Sequence, residues 1–143
     1  MRRARRRTDE SLGTLSLPNR PESVSAARRF VELVVHAYGA AHLADTAALL
    51  VSELATNVTR HGREAAAFRI VVSRIGDRIR VEVHDSSSQL AVMRRHPDAL
   101  AEDGRGLRIV HKLAYDHDSY SLPHGKSTWY ELIAWRSTQG GQP

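Results

Sequence analysis

The 143-residue chain contains no cysteine, which excludes disulfide frameworks and thiolate metal sites and fits a reducing compartment. No apolar run approaches the ~20 residues that a membrane span needs. Lysine is scarce too: of 21 basic residues only Lys112 and Lys126 are lysines, and the rest are arginines. Acids are missing before Asp9, whereas Arg2, Arg3, Arg5, Arg6 and Arg7 crowd the start. The net charge of +5 is the charge of those five arginines, because from residue 8 onward 16 basic residues face 16 acidic ones. A chain of pI near 10.2 would ordinarily be read as a binder of nucleic acid, but the neutral body argues against it. No apolar stretch follows the arginines, so they do not open a secretory signal. We expect residues 1–10 to be a disordered Arg-rich tail, 11–136 a single domain and 137–143 a flexible end. The protein should be soluble and cytoplasmic, with no membrane partner.

What is present is periodic. Leu12–Leu17 reads as a short strand closed by Pro18. Val24, Ala27, Val31, Val34 and Tyr38 then recur at spacings of three and four, one face of a helix capped by Ser23 and stopped by Gly39. A second helix spans Ala44–His61, with Ala47, Leu50, Val51, Leu54 and Val58 as its stripe. Alternation follows in Phe68–Val72 and Ile79–Val83, around Ile75-Gly76-Asp77, and predicts a β-hairpin. Residues 86–103 are polar and irregular. A short third helix is expected from about Gly106, and two late strands at about 118–122 and 126–134. Asp116-His117-Asp118 reads as a loop, and Trp129 and Trp135 as neighbours on one strand face. Early helices and late strands predict an α+β two-layer sandwich, its mixed, mostly antiparallel sheet covered on one face by about three helices.

Three places break the core pattern. At 100° per residue from Leu50, Asn57 falls at about −20° and His61 at about +20°, inside the apolar stripe, with Glu53 at about −60° on its margin. Ser52, Thr56 and Thr59 take the opposite, solvent-facing side. Either this helix end emerges into water, or Glu53, Asn57 and His61 line a cleft, where a carboxylate can act as a base and a carboxamide oxygen can hold Mg²⁺. Asp85 shares the parity of Ile79, Val81 and Val83 and so points inward. It either caps nearby backbone or accepts a hydrogen bond from a ligand. Gly104-Arg105-Gly106, just before a helix, exposes backbone N–H groups that favour an anion. Gly125-Lys126-Ser127 lacks the earlier glycine of a P-loop, since Tyr120 stands there. His111, His117 and His124 lack the spacing of a zinc helix.

The order of these elements resembles the GHKL ATPase superfamily with its Bergerat nucleotide-binding fold, over roughly residues 12–135. Glu53 and Asn57 on a long helix, Asp85 ending a strand, Gly104-x-Gly106 opening a helix and Gly125-Lys126-Ser127-Thr128-Trp129 late in the chain carry the likeness. The boxes around Ser52–Gly62 and Gly104–Val110 are most similar to the anti-sigma factor serine kinases and related small ATP-binding regulators. The resemblance implies ATP and Mg²⁺ as cofactors: Asn57 as the Mg²⁺ ligand, Glu53 as the general base, Asp85 as acceptor for the adenine amino group. It further implies Gly104, Arg105 and Gly106 as a phosphate-covering loop, Thr128 beside the adenine, and Arg60 or His61 near phosphate. The implied activity is phosphorylation of a serine or threonine on a protein partner, a sigma factor or an anti-anti-sigma-like regulator, in a chain that can form a homodimer. One departure stands out: Asp85-Ser86-Ser87-Ser88 replaces the Asp-x-Gly-x-Gly of many relatives, so a non-catalytic, nucleotide-gated binding module is the alternative.

Overall fold

A computed structural model describes residues 9–61, 67–85 and 104–135, without the side chains of His61 and of residues 104–107. The alternating segments form a hairpin of β2 (Ala67–Ile75) and β3 (Arg78–Asp85). Its two-residue loop needs a left-handed backbone, which Gly76 supplies at φ +66°. β1 (Asp9–Pro18) pairs with β2 on one side, while β5 (Gly125–Ile133) pairs with β3 on the other and β4 (Asp116–Leu122) completes the edge. The strand order is β1-β2-β3-β5-β4, and every pairing among the described residues is antiparallel.

Among the described residues three helices cover one face of this sheet, the expected α+β arrangement. α1 (Glu22–Ala37) packs on α2 (Ala44–His61) and on β1, where Gly13 makes room for it. A Cβ at Gly13 would lie 3.2 Å from Phe30 Cζ. Gly39, at φ +77°, ends α1, and a 3-10 turn at Ala41–Leu43 leads into α2. α2 is central, touching β3, β5, α1 and α3 (Gly104–Leu113). The buried Tyr130 hydroxyl donates to the Ala47 carbonyl at 2.7 Å and pins α2 to β5. α3 lies towards β4, where His111 Nδ1 meets His117 Nε2 at 3.2 Å.

Several expectations need correction. Ser52 does not face solvent: it is buried, donates to Ala48 O at 2.9 Å and accepts from Arg28 Nη1 at 3.1 Å. Thr56 and Thr59 are half-buried. A helix flanked by two others has three buried sides, and the single-stripe picture applies only to a helix with one covered face. Ser23 is not the cap of α1. It sits in the first turn, where its hydroxyl donates to Pro18 O at 2.6 Å and ties the helix to the end of β1. Tyr38 is exposed at 44%, and Val35 takes its place in the core. Asp9 and Glu10 are strand residues rather than tail, and Asp116-His117-Asp118 opens β4, pairing with Trp129–Glu131 rather than looping out. α3 begins at Gly104, two residues before the predicted start. Residues 86–103 lie outside the described residues, as do the two predicted tails apart from Asp9 and Glu10.

Candidate functional site

Directly paired residues of an antiparallel sheet share a face, so the registers lay out the helix-covered surface in rows. Val72, Val81 and Tyr130 form one row, Ile70, Val83 and Thr128 the next, and Phe68, Asp85 and Lys126 the last. Ser119 continues the second row onto β4 and Ser121 the last. The surface therefore turns from apolar to polar towards the C-terminal end of β3. Asp85 and Lys126 are each 4% exposed and stand opposite one another. Burial pushes the Lys126 ammonium below the usual lysine range, and the Asp85 charge opposes that shift. One row back, the Ser119 hydroxyl donates to Thr128 Oγ1 at 3.2 Å.

The helices converge on this polar end. α1 starts beside Pro18, which pairs with Ala67 next to the Phe68–Asp85 row, and runs away from it. α2 returns the other way, as the Arg28–Ser52 bond requires and as its connection to β2 at Ala67 demands. From Ala47, above Tyr130, to Asn57 the helix rises ~15 Å, close to the ~13 Å along β5 from Tyr130 to Lys126. The C-terminal part of α2 thus lies over the Asp85–Lys126 row. α3 ends beside His117, and Tyr115 just after it donates to Glu131 O, so the chain leaves this helix at the opposite end of the sheet; packed along α2, its body runs back from there towards the Asp85–Lys126 end.

One end of the sheet accordingly collects Asn57, Asp85, Thr128 and the backbone of Gly104, Arg105 and Gly106. Glu53, one helical turn before Asn57, is half-buried like it and like Thr128. The side chains of His61 and Arg105 lie outside the described residues, and Arg60 is exposed. The chemistry fits a nucleotide. The C-terminal end of α2 carries the negative end of a helix dipole, suited to a cation. The first turn of a helix such as α3 turns backbone N–H groups outward, which suits an anion. A buried carboxylate and a half-buried hydroxyl stand in adjacent rows at this end.

Lys126 stands in the sequence within the Gly125–Trp129 box and in a failed P-loop, and neither gave its side chain a role of its own. The signal was present: Lys126, Thr128, Tyr130 and Leu132 share one parity, and two of these are core residues. A second missed cluster lies on the opposite face of the sheet. There Arg80 Nε and Nη2 reach Glu131 Oε2 at 2.8 and 2.7 Å, and Arg80 stacks 3.9 Å from the centre of the fully buried Trp129 ring. Arg78 Nε is 2.9 Å from Glu131 Oε1, close in charge but not aligned as a hydrogen bond. Glu82 Oε1 meets His84 Nε2 at 2.6 Å and accepts from the hydroxyls of Tyr120 at 3.0 Å and Ser127 at 3.4 Å. Burial acts to raise the Glu82 carboxyl, but His84, Tyr120 and Arg80 together outweigh it and hold the group below its usual range.

The model of the histidine kinase-like ATPase domain matches residues 17–131, from the end of β1 to the end of β5. The chain belongs to the histidine kinase-like ATPase domain family. No match is found among curated proteins. The matched span contains the three described helices and every site residue named above. A histidine kinase-like ATPase domain binds ATP. No helix among the described residues is long and apolar enough to cross a membrane.

Proposed function

We propose that this ATP-binding domain is a regulator resembling the anti-sigma factor kinases, which phosphorylates a serine or threonine hydroxyl on a protein partner with Mg-ATP. The observation that carries the reading is the gathering of Asn57, Asp85, Thr128 and the α3 first turn at one end of the sheet, with Glu53 a turn behind Asn57. Mg-ATP supplies the transferable phosphoryl group when bound, in a reaction that needs positioning and charge neutralisation more than covalent help. Asp85 accepts a hydrogen bond from the adenine amino group, with the Thr128 hydroxyl beside the base. The carboxamide oxygen of Asn57 holds the metal, and the N–H groups of residues 104–106 meet the phosphates. Glu53 takes the proton from the incoming hydroxyl. The partner is a sigma factor or an anti-anti-sigma-like regulator.

The test is incubation with labelled ATP, Mg²⁺ and a panel of such partners. Transfer to one of them, lost by about 10²–10⁴-fold in Glu53→Ala with ATP affinity kept, is the expected result. Intact ATP binding with no transfer to any partner sinks the kinase half. Partner capture that depends on nucleotide but not on Glu53 then supports the second reading, a non-catalytic nucleotide-gated binding module. The replacement of the adenine-box glycines by Ser86-Ser87-Ser88 favours that reading.

A further inference from the structure

The ammonium of Lys126 has no part in the roles above, yet it is one of only two lysines in the chain and is buried at the base end of the site. It cannot be placed elsewhere. Lys126 is directly opposite Asp85 in the β3–β5 register and shares the parity of Thr128 and Tyr130. Thr128 bonds to Ser119, and Tyr130 to Ala47 of α2, which fixes that parity as the helix-covered face. The neighbouring Ser127 reaches Glu82 on the other face, as alternation requires. Phe68, 2% exposed, flanks Asp85 on the far side and closes the row with an apolar wall.

An ionised carboxylate only accepts hydrogen bonds, and an ammonium only donates, with three donors on one nitrogen. Lys126 can therefore serve Asp85 and a second acceptor at once. The two side chains together present an acceptor next to a donor. The Watson–Crick edge of adenine is the complement, with the 6-amino donor next to the N1 acceptor. A 6-oxo purine in the same orientation offends at both positions, since its O6 faces the carboxylate and its N1–H faces the ammonium.

Building on the ATP-binding reading of this site, we infer that Lys126 is a base-reading residue, which donates a hydrogen bond to N1 of the adenine while Asp85 accepts from the amino group. The charge pair makes selectivity for adenine a property of two strands rather than of one carboxylate.

Binding of ATP and of 1-deaza-ATP, which has CH in place of N1, distinguishes the roles. Each is measured by calorimetry with Mg²⁺ on the full chain and on Lys126→Met. The wild type should bind 1-deaza-ATP about ten- to hundredfold more weakly than ATP, the range of a hydrogen bond to a charged group. Lys126→Met should bind the two nucleotides within about twofold of one another, whatever its own affinity. Equal binding of both by the wild type overturns the inference and leaves the ATP site standing. Discrimination that persists in Lys126→Met overturns it too, by placing the N1 contact elsewhere. No binding of ATP by the wild type overturns this inference and the ATP-binding reading together. The wild-type comparison needs no variant, so a Lys126→Met chain that fails to fold leaves that test intact.

Discussion

At the scale of single residues, charge in this protein is placed where the local pattern predicts water. Glu82, Glu131, Asp85 and Lys126 are all less than 7% exposed, and each has its counter-charge on a strand, often dozens of positions away. Breaking such a pair costs more than replacing it whole. Glu131→Leu, which leaves Arg80 and Arg78 facing an apolar side chain, should lower stability by about 3–5 kcal/mol in chemical denaturation. The double change with Arg80→Met should recover more than half of that. Glu82 gives a test in pH. Its folded-state pKa is held below the ordinary 4.5, so its contribution is fully present above that value and is lost as pH falls through the lowered folded one. The stability gap between wild type and Glu82→Gln, followed by urea titration, should shrink as pH falls below about 4.5. A gap that is flat down to pH 3 contradicts this.

At the scale of elements, the segments legible in the sequence are those whose ends and faces are set locally. The boundaries of α2 follow from its apolar spacing and the turn signals on either side. The β2–β3 hairpin follows from alternation about Gly76, whose φ of +66° strains any residue with a side chain. Gly76→Ala should cost about 1 kcal/mol, and Gly76→Asn less, read as thermal midpoints. Tyr130→Phe removes the hydroxyl that fastens α2 to β5 and should cost a similar 0.5–1.5 kcal/mol or so by the same readout. What stayed hidden depends on neighbours that no local window contains. Ser52 looks solvent-facing until α1 brings Arg28 over it. Asp116–Asp118 looks like a loop until β5 supplies a strand to pair with. Of the site, Asn57, Asp85 and the glycine turn could be picked out because each interrupts an apolar rhythm. For Lys126 the parity with Tyr130 and Leu132 gives its face, but its partner Asp85 is set by a cross-strand register that no local window contains.

At the scale of the whole molecule, the sheet separates two kinds of chemistry. The face under the helices is apolar along most of its length and becomes polar at the end that holds Asp85 and Lys126. The opposite face carries the ionic cluster around Arg80, Glu82 and Glu131. Net charge belongs to neither, because it resides in residues 2–7. Deleting residues 1–8, ahead of the first residue of β1, should leave the thermal midpoint and the ATP affinity unchanged while weakening retention on heparin. A drop in ATP affinity would assign the arginines a role in the site. The two tryptophans in the chain also divide between the layers. Trp129 lies under Arg80 on the face away from the helices. Trp135 lies under Arg74 and donates from its indole to Tyr38 O at the end of α1. Trp129 thus reports on the outer face of the sheet and Trp135 on its seam with α1, so Trp129→Phe and Trp135→Phe yield single-probe proteins for the two places. Coincident emission changes in denaturant would show that the layers melt as one cooperative unit, and separated midpoints would show which one lets go first.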